Sequence, residues 1–190
     1  NSGLVFYNNS SWIIYNEANS LIHGDRIQSL VVDDNNAVWV GSKLGYYTVG
    51  LNKFENGNWT NYELSNSQIP NNFVTSLAID IDSSVWVGTN NGFGNIKGSE
   101  WTNYSVSNTI LEGDDIRAIA CEEDGTKWFG ALFYGLIEYK EPNWTVYTLD
   151  NSPLTSRQIN CITIDDDNNK WIRMSSGGMD SGGFIKISNN

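Results

Sequence analysis

Basic residues are scarce: 11 Lys and Arg stand against 22 Asp and Glu, a formal net charge of −11. A field of that sign repels a polyanion, and the few cations form no stripe, so nucleic acid is not an expected partner. Histidine is scarcer still. His23 is the only one, so a Ser-His-Asp or Cys-His device would have to use it; it lies in a Gly/Asp loop outside the repeat described below, where a loop role is expected. One His and two separated thiols cannot supply an ordinary zinc site. The two cysteines, Cys121 and Cys161, fall in equivalent strands of neighbouring units but three positions apart, about 10 Å at strand rise, and are expected to be free, buried thiols. Long apolar runs are missing too. Stretches such as Ser29-Leu30-Val31-Val32 fall far short of the roughly 20 residues that span a bilayer. The sequence opens at Asn1 without a charged and apolar leader, so any export signal is expected to have been removed or to lie outside it.

What is present argues for a folded chain. Hydrophobic residues make up 39%, aromatics 13% and charged residues only 17%, a balance too apolar for intrinsic disorder. A single domain over residues 1–190 is the expectation from length.

The tryptophans expose an internal repeat. Trp39, Trp86, Trp128 and Trp171 are spaced by 47, 42 and 43 residues, and Trp12, Trp59, Trp101 and Trp144 by the same intervals. Around the first set the segments IQSLVVDDNNAVWVGS, VTSLAIDIDSSVWVGT, IRAIACEEDGTKWFGA and INCITIDDDNNKWIRM align without gaps; the second set reads WIIY, WTNY, WTNY and WTVY. A period of this length with strand-like content and no helical periodicity predicts an all-β fold, a β-propeller of about four four-stranded antiparallel blades. The units run from about 1–24 (partial) through 25–66, 72–108 and 114–151 to 157–190 (partial).

Within the second unit, strands are expected at Val74 to Asp80, Val85 to Thr89, Gly94 to Lys97 and Trp101 to Val106, here called A to D from the inside outward. Asp, Asn, Ser and Gly between A and B predict a tight hairpin. Gly41, Gly88 and Gly130 follow the strand B Trp by two residues, where a missing side chain lets a neighbouring backbone or aromatic ring come close. Large residues (Leu30, Leu77, Ile119, Ile162) on one face of strand A and small ones (Ser29, Ser76, Ala118, Cys161) on the other suit sheets covered on both sides.

Each repeated constellation has a structural reading. The Trp12/Tyr15, Trp59/Tyr62, Trp101/Tyr104 and Trp144/Tyr147 pairs recur in every unit and are expected to pack blade against blade rather than stack on sugars. The runs Asp33 to Asn36 and Asp165 to Asn169 are expected to be hairpin turns; Ca²⁺ is the alternative, and no distant bidentate Glu supports it. No catalytic residue, metal site or cofactor is assigned, although paired carboxylates for glycoside hydrolysis depend on space rather than sequence. A ligand is expected where B–C and D–A loops open on one face. The candidates are Lys43, Tyr46, Asn90, Asn91, Phe133 and Tyr134 on the B–C side, with Ser175 to Gly183 as the fourth such loop. Gln28, Thr75, Arg117 and Asn160 at the strand A starts are polar and different in every unit, and Arg173 replaces the strand B glycine of the fourth.

The strings VTSLAIDIDSSVWVGTNNGF and INCITIDDDNNKWI resemble the two-component regulator propeller repeat over nearly the whole chain. That resemblance implies an exported bacterial sensor or surface protein, often linked to glycans, and hence an extracytoplasmic place. Two departures stand out: the chain carries no kinase, receiver or trailing immunoglobulin-like domain, and Arg173 breaks the fourth unit's pattern. Strand order also leaves two C strands, Leu4 to Tyr7 and Gly182 to Ile187, competing for one place if four blades close. The chain is then a piece of a longer array, a ring with one redundant strand, or a protomer that associates with a second copy through an open strand edge. Three functions follow as alternatives: a non-catalytic module recognising a glycan, small molecule or partner, a carbohydrate-active enzyme, or a purely structural module.

Overall fold

The computed structural model describes residues 3–44, 46–175 and 182–188. An N-terminal hairpin, β1 (Leu4–Tyr7) and β2 (Trp12–Tyr15), precedes a first blade of β3 (Arg26–Val32), β4 (Val38–Leu44), β5 (Tyr47–Glu55) and β6 (Asn58–Tyr62). The second blade comprises β7 (Val74–Ile79), β8 (Val85–Thr89), β9 (Phe93–Lys97) and β10 (Glu100–Tyr104). The third comprises β11 (Ile116–Cys121), β12 (Lys127–Ala131), β13 (Gly135–Lys140) and β14 (Asn143–Tyr147), and the fourth β15 (Gln158–Ile164), β16 (Lys170–Ser175) and β17 (Gly183–Ile187). Every sheet is antiparallel with consecutive strands as neighbours, and among the described residues there is no helix. The inner strands lie side by side, β3 on β7, β7 on β11 and β11 on β15. This is the β-propeller that the recurring tryptophans predict.

The blades are joined by three apolar interfaces. Trp39 and Leu51 of the first blade meet Val74, Leu77, Val85 and Val87 of the second; Trp86 and Phe93 meet Ile116, Ile119 and Phe129; Trp128 and Leu136 meet Ile159, Ile162 and Ile172. Burial of this kind contributes about 25 cal/mol per Å² of apolar surface, and it is what holds successive sheets together. The Trp/Tyr pairs form a ladder across them. The strand B indole of each of the first three blades stacks on its own blade's strand D tyrosine, as Trp86 does on Tyr104 with ring centroids 5.5 Å apart, whereas Trp171 stacks on Phe184 of β17. The strand D tyrosine meets the next blade's strand D indole edge-on: Tyr15 with Trp59 at 5.7 Å, Tyr62 with Trp101 at 6.1 Å, Tyr104 with Trp144 at 5.8 Å. Quadrupoles favour such offset and edge-on geometries.

The strand B glycines serve a different neighbour from the one expected. A Cβ on Gly41 would lie 2.5 Å from Val74 Cγ1, and one on Gly130 2.5 Å from Ile159 Cγ2. What presses first on these two is a β-branched side chain of the following blade, with that residue's backbone carbonyl behind it, and no ring; Gly88 faces Ser76 of its own blade and Ile116 of the next. Arg173 occupies the corresponding place in β16, paired with Cys161 and Phe184, and it is exposed because no further blade covers it among the described residues.

The two end faces are uncovered halves of the same interface. Leu30 is 48% exposed, whereas Leu77, Ile119 and Ile162 at the same position are 7%, 7% and 8% exposed. At the other end Phe184 is 70% exposed, against full burial of Leu51, Phe93 and Leu136. Cys161 lies on this face and is exposed, which corrects the expectation of a buried thiol; Cys121 is half-buried, and both are free.

Candidate ligand-binding face

The two ends of the propeller use their polar groups differently. At the A–B turns the side chains are consumed internally. Asp33 accepts from the Asn35 and Ala37 amides at 2.9 Å and from Trp39 Nε1 at 2.8 Å. Asp80, Glu122 and Asp165 receive Trp86, Trp128 and Trp171 in the same way. Two lysines then cross between blades: Lys127 reaches Asp80 at 2.9 Å and Lys170 reaches Glu122 at 3.0 Å. The Asp and Asn runs are therefore turns that also anchor indoles, a role that sequence reading missed although the six-residue offset from acid to Trp recurs in every unit. Among the described residues no group of three or more His, Cys, Asp and Glu is placed to hold a metal ion. His23 belongs to this internal economy too, its amide bonded to Asn52 Oδ1 at 2.8 Å and its Nδ1 2.7 Å from Glu63 Oε1.

At the opposite end the strand A starts carry a β-bulge in every blade. The register skips between Ile27 and Ser29, Val74 and Ser76, Ile116 and Ala118, and Ile159 and Cys161. The skipped residues are Gln28, Thr75, Arg117 and Asn160, the variable polar positions singled out above. A bulge releases a residue from the ladder and re-aims its side chain, which is why it recurs beside binding sites. Gln28 is exposed; Thr75 donates to the Ile116 carbonyl and Asn160 to Ser175 Oγ; Arg117 Nε lies 2.6 Å from Asp115.

The B–C turns are pinned by a second glycine set. Gly50, Gly92 and Gly135 have φ of +83°, +87° and +85°, and each donates its amide to the next D–A loop, at Asn72, Asp114 and Arg157. A Cβ in that conformation is strained, so glycine fits. Asn90 and Asn91 form the short turn before Gly92. The first blade departs: 11 residues separate Trp39 from Gly50, against 6 from Trp86 to Gly92 and 7 from Trp128 to Gly135. All the extra length of the first unit goes into a projecting β4–β5 hairpin that carries Lys43, Tyr46 and Tyr47, with Tyr46 and Tyr47 exposed. On the third blade Phe133 is exposed, and Tyr134 lies against Gly113 at the edge of a cleft of about 210 Å³ with Ile110, Leu111 and Ile137.

The structure brings two of the candidates together, Lys43 and Arg117. Lys43 Nζ sits 3.7 Å from the Phe73 ring centroid and Arg117 Cζ 5.6 Å from the same ring, so residues from three blades converge. Phe73, Arg26 and Tyr47 were not singled out from sequence; the surplus residues between Gly41 and Gly50 were the available signal. Arg173 stands apart, in mid-strand on an end face. Of the fourth B–C loop, residues 176–181 lie outside the described residues, as does Gly45.

Residues 68–91 match the family model for the two component regulator propeller. That stretch is similar to one copy of the repeat. Solved structures show the same propeller architecture. The extracellular domain of the hybrid two component system BT3049 from B. thetaiotaomicron superposes with a TM-score of 0.73 at 22% identity, covering 90% of this chain and 24% of that one. The extracellular domain of the one component system BT4673 from the same organism gives 0.69 at 16%, with coverages of 90% and 24%. Virginiamycin B lyase from Staphylococcus aureus, crystallised with quinupristin, gives 0.61 at 21%, with coverages of 86% and 56%. The chain thus spans about a quarter of the two extracellular domains and just over half of the lyase. No curated protein matches it in sequence. Among the described residues no helix is long and apolar enough to cross a membrane.

Proposed function

We propose that this propeller is an extracytoplasmic recognition module, a sensor-type domain that binds a glycan or another small ligand on the face formed by its B–C and D–A loops. The observation that carries the reading is the split between the two ends. The Trp-anchoring acid of each A–B turn is spent inside the fold, whereas the other end carries polar bulge residues that differ in each blade, three of them held by bonds within the chain, and exposed aromatics at Tyr46, Tyr47 and Phe133. Flat rings and a few polar groups on a rigid frame are the makings of a small-molecule site. Catalysis receives less support. The carboxylates displaced from their ordinary range, Asp33, Asp82, Asp124 and Asp165, all move down, away from the raised value a general acid needs. A glycan array paired with thermal-shift screening tests the proposal: a ligand that raises Tm in the native chain and not in a Tyr46→Ala, Tyr47→Ala variant supports it, and silence across the array counts against it.

A second reading concerns self-association. The end face of the first blade is apolar, with a cavity of about 500 Å³ between β1 and the blade lined by Leu4, Phe6, Tyr15, Leu30, Val32 and Phe54. Because this position is an interface everywhere else in the chain, it suits a second copy meeting it through the same face, as two-fold dimers do. Light scattering decides: a dimer that Leu30→Lys dissociates agrees with it, a strict monomer does not.

A further inference from the structure

The cations of this acidic protein are unevenly provided for. Six of its lysines and arginines, Lys53, Lys97, Arg117, Lys127, Lys140 and Lys170, have a carboxylate within ion-pair distance. Arg26 and Lys43 have none among the described residues, yet they stand directly opposite each other in the β3–β4 ladder. Like charges facing across a strand pair are destabilising, and a chain with twice as many acids as bases had every chance to neutralise them. Arg117 approaches from the third blade onto the same Phe73 ring that Lys43 covers. The Lys43 ammonium is held below its ordinary value by burial and then by Arg117 and Arg26, the mark of positive charge gathered around it; of the three, only Arg117 is answered by a carboxylate among the described residues, that of Asp115. The same hairpin carries the exposed Tyr46 and Tyr47, the latter paired with Leu44 and so on the face away from Lys43.

We infer that Arg26, Lys43 and Arg117 form an anion-binding site, built for the carboxylate or sulfate of an acidic ligand. The Arg26 guanidinium supplies planar paired donors for an oxyanion and Lys43 a point charge, while Arg117, whose Nε and Nη2 are held by Asp115, adds the donors it has left. Phe73 fixes both Lys43 and Arg117 by cation–π contact, so the site is organised before ligand arrives. The inference rests on the recognition reading above and narrows its ligand to an acidic one.

Calorimetric titration of the whole chain with matched pairs tests it: trigalacturonate against its methyl ester, and a sulfated disaccharide against the same sugar without sulfate. The expected result is binding of the acidic member of at least one pair, about tenfold or more tighter than its neutral partner and weakened by added salt. Lys43→Ala and Arg26→Gln should each lower that affinity about tenfold, whereas Lys97→Ala, at the opposite end, should leave it unchanged. Carboxylate and sulfate arms separate the two sources. Inorganic sulfate provides a ligand-independent check, raising Tm of the native chain more than that of Arg26→Gln. Equal affinity for charged and neutral members overturns the anion site and leaves the recognition reading standing. No binding of any probe, with equal sulfate effects on both proteins, overturns the site as well.

Discussion

Lys170 of the fourth blade reaches back to Glu122 of the third, Nζ to Oε2 3.0 Å, with both side chains more than nine-tenths buried. Glu122 also accepts the Trp128 indole N–H of its own blade and an amide N–H of Asn168. One carboxylate thereby ties an inner strand, its indole and the next blade's hairpin together. Removing one partner of such a pair strands the other, which costs about 3–5 kcal/mol. Lys170→Met should lose that much stability in urea denaturation, and pairing it with Glu122→Gln, which removes the charge and keeps an oxygen for the Trp128 N–H, should recover part of the loss. A single replacement that costs under 1 kcal/mol would mean that Glu122 reaches solvent.

Gly130 and Arg173 share a strand position and call for opposite outcomes. Gly130→Ala pushes a Cβ to 2.5 Å from Ile159 Cγ2, and overpacking of this kind costs about 1–3 kcal/mol. Arg173→Gly relieves nothing inside the chain. It removes the charge that keeps another blade's β-branched residue off the end face, so the variant should keep its Tm and assemble beyond the native state in light scattering. Unchanged association would remove Arg173 from that role.

The two thiols should react at very different rates. Burial pushes the Cys121 thiol up to about 12, leaving roughly one in ten thousand as thiolate at pH 8, while reactivity follows the exposed thiolate. Cys161 is exposed. Mass spectrometry of chain treated briefly with iodoacetamide should find Cys161 modified at least tenfold faster; equal rates would contradict the packing of the second and third blades around Cys121.

Acid should loosen the A–B turn end first. Asp82 is raised by burial but drawn down further by Lys97 and Ser84, Asp124 is lowered by Lys140 and then Thr126, and Asp165 by Trp171 and then Asn169; all three settle at about 2, below the ordinary 3.8. A folded value below the unfolded one stabilises the fold above the unfolded value, and that contribution disappears as pH falls through the folded one. Their contribution to stability is therefore whole above about pH 4 and fades toward pH 2. Carboxyl chemical shifts should place the Asp124 midpoint near 2 in the native chain and closer to 3.8 in Lys140→Ala.

Much of this architecture is written locally. The indole spacing, the alternation in strand A and the turn residues between strands specify blades of four strands, because a strand that is apolar on both faces is stable only between two other sheets. Expected strand bounds for the second unit agree with β7 to β10 to within two residues. Loop positions on the variable face were legible for the same reason, since a repeated frame shows which residues refuse to repeat.

What only the tertiary structure decided are the relations between blades. That Gly41 receives Val74, that Lys170 answers Glu122, that Lys43 and Arg117 share Phe73, and that Cys161 faces outward all depend on which sheet lies next to which. Period alone identifies equivalent positions within units; it carries no record of the distance between residues about 40 or 70 positions apart, because that distance is set by how twisted sheets stack about an axis. The sequence by itself determined the blades, and packing determined the site and the exposed ends.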